Sequence, residues 1–304
     1  MATAQLTPVG VGIRNVLIAT DFSRCSNSAL HFGLRLAKSY QATSHIVFVI
    51  PNDQYLLAGP EAYVAARDVA RRDLQELEAE LRRAHSCVEG DDYHLYLLEG
   101  PIADAILDFA RQKQIDLIVL GTHGRGGLQK ALLGSVAERV FRHSPVPVLT
   151  LGPGFQLPGP ADHAHEILVA ADFTPASLRA VSYAAALARE HHSHLTLLHV
   201  LDTKHLQQVP DRAAVKRGIE KRLEEMLGRQ AEGLHCSLRV EIGQTTRKVL
   251  DVAREQAADL LVLGVRPSSG VLDRLAIPRA YELVRDSPCP VLTLRETKAT
   301  SQLS

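Results

Sequence analysis

The sequence has 304 residues, of which 46% are hydrophobic, so it is long and apolar enough to form two domains with packed cores. Lysine plus arginine and aspartate plus glutamate both number 34, which leaves no net charge to draw the whole molecule to nucleic acid or to an anionic membrane. Without an apolar run of about 18 residues or a signal peptide, the chain is predicted to be cytoplasmic. Four scattered cysteines with no Cys-x-x-Cys pair predict reduced thiols rather than disulfides or a zinc site.

Five short β-branched runs alternate with helical stretches in the first half of the chain. The runs that predict strands are Asn15–Ala19, His45–Ile50, His94–Leu98, Leu117–Leu120 and Val146–Leu151. The run Leu117–Leu120 is apolar without alternation, as expected for a central parallel strand covered by helices on both faces. The segment Glu61–Ala84 carries Arg and Glu at helical spacing, which predicts a solvated amphipathic helix rather than a binding arm. We therefore predict an α/β fold with a doubly wound parallel sheet.

The same pattern occurs a second time. Residues 16–38 match residues 167–189 at an offset of 151, and residues 116–123 match residues 259–266 at an offset of 143. A period near 150 residues is too long for a solenoid unit and fits two complete domains. We expect a first domain over residues 1–152, a Gly- and Pro-rich linker over 153–165, a second domain over 166–296 and a flexible tail over 297–304.

The residues directly after the first and fourth strands are the candidates for chemistry, because parallel sheets bind ligands beyond the carboxyl ends of their strands. After the first strand comes Asp21, whose carboxylate can accept from a ribose hydroxyl or a base amine. Its alternative role is to cap the following helix, since Asp and Ser both satisfy free amides there. The sequence leaves both readings open.

A glycine-rich loop follows the fourth strand, from Gly121 to Ser135. Glycines let backbone amides approach an anion, and a helix start adds partial positive charge, so the loop predicts a phosphate cradle. The alternative is a mobile surface loop. Its spacing fits neither the Walker A motif nor the dinucleotide fingerprint.

The spacing Gly121-x2-Gly124-x9-Gly134-Ser135, followed by Val136 and a Ser-Pro-Val-Pro-Val strand, resembles the ATP-binding signature of universal stress proteins. The resemblance extends to the Ala-Thr-Asp-Phe-Ser segment after the first strand, to a Gly-Pro helix start and to the strand after the first helix. It covers nearly the whole chain, twice over.

This resemblance implies two adenine nucleotide α-hydrolase-like, Rossmann-like domains. Each would be an open five-stranded parallel sheet of order 3-2-1-4-5, with ATP between strands one and four; whether Mg²⁺ accompanies it is left open. By resemblance, the nucleotide-binding residues are Thr20, Asp21, Val49, Leu120, Gly121, Gly124, Arg125, Gly134, Ser135 and Val136.

The resemblance also implies a role for each group of these residues. Thr20 and Asp21 would lie against the nucleoside, and the backbone of Val49 would meet the adenine. Leu120 and Gly121 would flank the ribose. The phosphates would be held by amides and by the Ser135 hydroxyl, from Gly124, Gly134, Ser135 and Val136. Arg125 would either reach a phosphate or remain solvated.

The second copy departs from this pattern. It keeps Asp172 and Gly264, but Gly124, Gly134 and Ser135 are replaced at the aligned positions, which are Pro267, Ile277 and Pro278. Proline has no amide hydrogen, and isoleucine resists a positive φ, so this copy is not expected to form the same cradle. The sequence therefore predicts one adenine nucleotide per chain, bound in the first domain.

Three functions remain open from the sequence. The first is a nucleotide-binding module that regulates or protects in a stress response. The second is a slow ATPase or nucleotide-dependent hydrolase, for which His123 is the only nearby candidate base and no catalytic residue is assigned. The third is an interaction scaffold that is indifferent to nucleotide.

Partner predictions rest on the terminal apolar runs Val146–Leu151 and Val291–Leu294, which would otherwise be exposed sheet edges. We expect them to pair within one chain, and two chains to form a possible homodimer.

Overall fold

A computed structural model of the chain describes residues 11–51, 59–85, 92–122, 134–153, 155, 164–203, 211–266 and 277–296. The chain divides into two compact units, each of which contains five strands. The first unit spans Ile13–Asp162, and the second comprises the described residues outside that range.

The first unit alternates strands and helices, as the sequence predicts. Its elements are β1 (Asn15–Ala19), α1 (Arg24–Ser39), β2 (Thr43–Ile50), α2 (Pro60–His85), β3 (Tyr93–Glu99), α3 (Ile102–Gln112), β4 (Leu117–Gly121), α4 (Ser135–His143) and β5 (Val148–Leu151).

The second unit repeats this alternation. Its elements are β6 (Glu166–Ala170), α5 (Pro175–His191), β7 (His194–Leu201), α6 (Arg212–Leu227), a 3₁₀ turn (Gly228–Ala231), β8 (Cys236–Ile242), α7 (Thr245–Glu255), β9 (Leu260–Val265), α8 (Ile277–Asp286) and β10 (Val291–Arg295).

The fifth strand begins at Val148, two residues later than predicted. The Ser144 hydroxyl donates to the Val146 carbonyl at 2.7 Å and accepts from the Val146 amide at 3.2 Å, which turns the chain there. Pro147, which has no amide hydrogen, directly precedes the strand. A local turn therefore replaces the first two residues of the predicted strand.

All the described pairings within each unit are parallel. In the first unit, β1 pairs with β2 and β4, β2 also pairs with β3, and β4 also pairs with β5. In the second unit, β6 pairs with β7 and β9, β7 with β8, and β9 with β10. The strands of each unit therefore have the predicted order 3-2-1-4-5, which puts a crevice at the carboxyl ends of β1 and β4.

The apolar runs predicted as central strands form the core. Val16, Leu17 and Ile18 in β1 are completely buried, so both faces of this strand are covered. Helices α1, α2 and α3 all pack against β2, next to β1. No helix in the described part of the chain is both long and apolar enough to span a membrane.

Candidate functional site

The turn after β1 is shaped by hydroxyl groups. Ser23, not Asp21, is the N-cap of α1: its hydroxyl accepts from the Ser26 amide at 3.2 Å. One carboxylate oxygen of Asp21 accepts from the Ser23 amide at 3.0 Å. Asp21 therefore stands just outside the helix, with one oxygen committed to the turn, and the capping alternative for this residue is not what the structure has.

Thr20 is buried within the same turn. Its hydroxyl accepts from the Phe22 amide at 3.1 Å and lies 3.3 Å from the Ser26 hydroxyl. Its backbone amide donates to the Val47 carbonyl at 3.0 Å. Thr20 therefore holds the turn through three contacts, and a nucleoside contact by this residue stays a prediction.

Phe22 belongs to the same turn, and the sequence did not single it out. Its φ is +60°, a left-handed conformation that is uncommon outside glycine, asparagine and aspartate. Its ring lies 5.1 Å from the ring of Phe48, measured between centroids. The aligned residue Phe173 has φ +62°, so both copies reverse the chain here in the same way. The only sequence signal was the alignment of the two phenylalanines.

Val49 lies beyond the point where β1 ends. The pairing of β1 with β2 stops at Ala19 and Val47, whereas β2 continues to Ile50 beside β3. The carbonyl of Ile50 accepts from Gly100 on the β3 side. Because backbone groups alternate along a strand, those of Val49 face the β1 side, past the end of β1.

Gly121, at the end of β4, is required for packing. A Cβ atom placed there would lie 2.8 Å from the carbonyl carbon of Cys25, in the backbone of α1. Gly264, the aligned residue, is tighter: its Cβ would lie 2.4 Å from the Ser177 amide nitrogen. The glycine therefore lets the first helix of each unit approach the sheet. Contacts of Gly121 or of the buried Leu120 with a ribose stay predictions.

The start of α4 is attached to the end of β4. The Gly134 amide donates to the Thr122 carbonyl at 2.7 Å, and Gly134 is the N-cap, with no side-chain hydrogen bond to the first-turn amides. These amides, of which Ser135 and Val136 contribute two, have no intrahelical acceptor. The helix start therefore presents donors beside the crevice at the carboxyl ends of β1 and β4.

Gly134 differs from expectation in its backbone. Its φ is −59° and its ψ is 135°, a region open to any residue, so the expected need for a positive φ does not apply here. At the aligned place in the second unit, Pro278 is the second residue of α8, where its missing amide hydrogen does not prevent a helix. The helix remains in the second unit, but one first-turn donor is lost.

Part of the predicted site lies outside the described residues. This applies to Gly124 and Arg125, to the candidate base His123, and to Pro267 in the second copy. Among the residues that the structure does describe, no cluster of three or more His, Cys, Asp or Glu side chains could hold a metal ion.

The fold and this crevice define a class: a doubly wound, Rossmann-like α/β domain of the adenine nucleotide α-hydrolase type, present twice. The chain belongs to the universal stress protein family, whose family profile matches residues 12–151 and again residues 163–295.

Comparison with individual proteins agrees with this assignment. A universal stress protein of Methanocaldococcus jannaschii is 33% identical over 141 residues, which cover 45% of this chain and 81% of that protein. One from Mycobacterium tuberculosis is 27% identical over 258 residues, 76% of each chain. A crystal structure of a universal stress protein from Archaeoglobus fulgidus superposes with a TM-score of 0.72 at 23% identity, covering 94% of this chain and 97% of that one. This last similarity shows the fold.

Proposed function

We propose that the first unit binds ATP or another adenine nucleotide, and that the protein is a nucleotide-binding regulatory or protective module of the cytoplasmic stress response. The observation that carries this proposal is the hydrogen bond from the Gly134 amide to the Thr122 carbonyl, because it holds the open start of α4 at the end of β4. A helix start of this kind suits phosphate groups through its amides and its dipole.

The adenine and ribose contacts have their own support. The backbone of Val49 offers one donor and one acceptor on the β1 side, past the last paired residue of β1. This pair matches the donor and acceptor on the edge of adenine. Asp21 uses one carboxylate oxygen for the Ser23 amide, and a carboxylate has further acceptor positions for a ribose hydroxyl. The described residues therefore fit an adenine nucleotide at both ends.

The second unit should lack this site. Pro267 and Pro278 have no amide hydrogen, so the second unit lacks two of the donors expected to hold the phosphates. Hydrogen bonds to charged groups contribute about 1.5 to 3 kcal/mol each, so the loss of these two costs about 3 to 6 kcal/mol. Since about 1.4 kcal/mol corresponds to a tenfold change, a micromolar site would weaken to roughly millimolar or beyond. We therefore expect one ATP per chain.

The direct test is to identify any small molecule that is released when the purified protein is denatured, and then to titrate the emptied protein with ATP by calorimetry. One site per chain is expected. Gly134→Ile should abolish it, because a side chain there would stand between the α4 amides and the phosphates. The reverse change at the aligned position, Ile277→Gly, is the matched control and should leave ATP binding unchanged.

Two results would overturn the proposal. Binding that survives Gly134→Ile would show that the start of α4 is not the phosphate site. A protein that carries no nucleotide and acquires none at millimolar ATP would favour the scaffold function. Incubation with ATP and Mg²⁺ separates the remaining alternative, since turnover well above that of denatured protein would identify an ATPase.

We also propose that the outer strands β5 and β10 pair within one chain, and that two chains form a homodimer. Support comes from their apolar sequences and from their places at one end of each sheet, where the described pairing within each unit is with β4 or β9 alone. Small-angle scattering of the full chain should give a compact particle. Scattering from two separated domains would contradict pairing, and light scattering gives the number of chains.

A further inference from the structure

The turn after β6 in the second unit has an unusual set of neighbours. Here Asp172 and Phe173 follow the strand, with Phe173 at φ +62°, and they occupy the places of Asp21 and Phe22 in the first unit. This is the edge of a parallel sheet at which ligands bind. The second unit therefore keeps the crevice, although it lacks the glycine cradle.

Arg266 borders this turn from the end of β9. Its Nη2 lies 3.4 Å from Oδ2 of Asp172, and about half of each side chain is exposed. An exposed ion pair of this kind is worth little, so the guanidinium can exchange its partner for an anion at low cost. The aligned residue in the first copy is His123.

Arg222 borders the same turn from α6. Its guanidinium carbon lies 4.0 Å from the centroid of the Phe173 ring, which is cation–π geometry. The ion pairs described for α6 join Lys216 to Glu220 and Arg217 to Asp211, and neither includes Arg222. Stacking fixes the plane of the guanidinium and leaves the N–H groups at its rim able to bind an oxyanion.

A third nitrogen-bearing side chain, His199, lies against the same phenylalanine. Its ring centroid is 4.6 Å from that of Phe173, and its Nδ1 donates to the Ala171 carbonyl at 2.7 Å. The aligned residue in the first copy is Phe48, whose ring packs on Phe22. At two aligned positions the second unit therefore carries a more basic or more polar side chain than the first.

We propose that the carboxyl edge of the second unit binds a multivalent oxyanion, a phosphorylated or polycarboxylic small molecule, through the guanidinium groups of Arg222 and Arg266. The ligand is held by side-chain cations, where the first unit would use backbone amides. Arg266 contacts the single carboxylate of Asp172 and Arg222 stacks on the neighbouring Phe173, so two guanidinium groups border a turn that carries one carboxylate. This site does not depend on nucleotide binding by the first unit.

The test uses the full chain carrying Gly134→Ile, which removes the phosphate site proposed for the first unit. Pyrophosphate and citrate are titrated separately by calorimetry, while the ring resonances of His199 are followed by NMR and assigned by their loss in His199→Gln. Both methods should show saturable binding of at least one of the two anions. Pyrophosphate alone would indicate a phosphorylated ligand, citrate alone a polycarboxylate, and both a site that reads oxyanion charge.

Arg222→Gln and Arg266→Gln should each weaken this binding by about tenfold or more, since each removes charge-assisted hydrogen bonds. Arg229→Gln is the matched control, because Arg229 is exposed and follows the carboxyl end of α6, away from this edge. It should leave the affinity unchanged. The proposal fails if neither anion shifts His199 at millimolar concentration, or if the control weakens binding as much as the two test variants.

Discussion

The carboxylate of Asp116 joins the amino ends of two neighbouring strands: its Oδ2 accepts from the Asn15 amide at 2.9 Å and from the Arg14 amide at 2.8 Å. Asp116 precedes β4, and the two amides begin β1. In the second unit, Asp259 likewise accepts from two amides at the start of β6, at 2.8 and 3.0 Å. In each unit, an aspartate that precedes the fourth strand therefore binds the amino end of the first strand.

Replacing Asp116 with alanine should destabilise the first unit selectively. Two amides lose a charged acceptor, and hydrogen bonds to charged groups are worth about 1.5 to 3 kcal/mol each when buried, so we expect a loss of about 1 to 3 kcal/mol at this partly exposed site. Hydrogen exchange read by mass spectrometry resolves the two units. Asp108→Ala, which breaks only an exposed ion pair with Arg111, should cost less than about 1 kcal/mol. Equal losses of stability in Asp116→Ala and Asp108→Ala would refute the role of Asp116.

Phe22→Gly should be more stable than Phe22→Ala. Both changes remove the ring that packs on Phe48, but only glycine relieves the left-handed backbone, which costs an L-residue roughly 1 to 2 kcal/mol. Chemical unfolding of the two variants measures the difference, expected at about 1 kcal/mol. The control pair is Phe32→Gly and Phe32→Ala within α1, where glycine should be the less stable. If the glycine and alanine variants had the same order of stability at Phe22 and at Phe32, the backbone strain assigned to Phe22 would be contradicted.

Gly264→Ala should destabilise the second unit by at least about 1 to 3 kcal/mol, because the new Cβ would stand 2.4 Å from the backbone of α5, which cannot move aside cheaply. Gly218→Ala provides the contrast in the same unit. Gly218 lies within α6 with nothing within 4 Å of its Cβ position, so alanine should stabilise by about 0.5 to 1 kcal/mol. Thermal unfolding of both variants measures the effects, and a Gly264→Ala protein as stable as wild type would disprove the packing role.

His45 should make the first unit less stable in mild acid. Burial lowers its pKa from the ordinary value of 6.5, and the neighbouring His94 and Lys113 lower it further, while Asp92 opposes them. In the neutral ring, Nε2 donates to the Asn15 side chain at 3.1 Å.

The unfolded chain takes up a proton near pH 6.5, before the folded chain does. The stability that neutral His45 contributes is therefore present above about pH 6.5 and is lost as the pH falls towards the folded pKa. Denaturant unfolding between about pH 7.5 and 5.5, read by exchange in first-unit peptides, should show this loss, and His45→Gln should reduce it. Burial also lowers the pKa of His199 in the second unit, so the readout must be specific to one unit.

The sheet could be predicted because its information is local. Apolar runs such as Leu117–Leu120 form buried strands, and the aligned repeat predicts two domains with one strand order. The predicted beginning of β5 was wrong because the Ser144 hydroxyl bonds to the backbone of Val146 and turns the chain there. Hydropathy does not record such a contact.

The candidate site was less predictable from the sequence. The spacing of the glycines shows where the chain has no side chain, but it does not show which group occupies the space that a side chain would take. At Gly121 the space belongs to the backbone of α1, and at Gly134 the backbone has an ordinary conformation. The neighbours of Phe173 were also beyond the sequence, since Arg222 reaches the turn from a helix distant in the chain.

The packing role of Gly121 and Gly264 has a consequence for how a duplicated protein diverges. A glycine that lets a helix approach the sheet is needed for folding in both copies, whatever either copy binds. The start of the last helix is under no such constraint, since α8 forms with Ile277 and Pro278 as its first residues. After duplication, one copy can therefore lose its ancestral ligand through a few substitutions that leave folding intact, and is then free to acquire a different specificity.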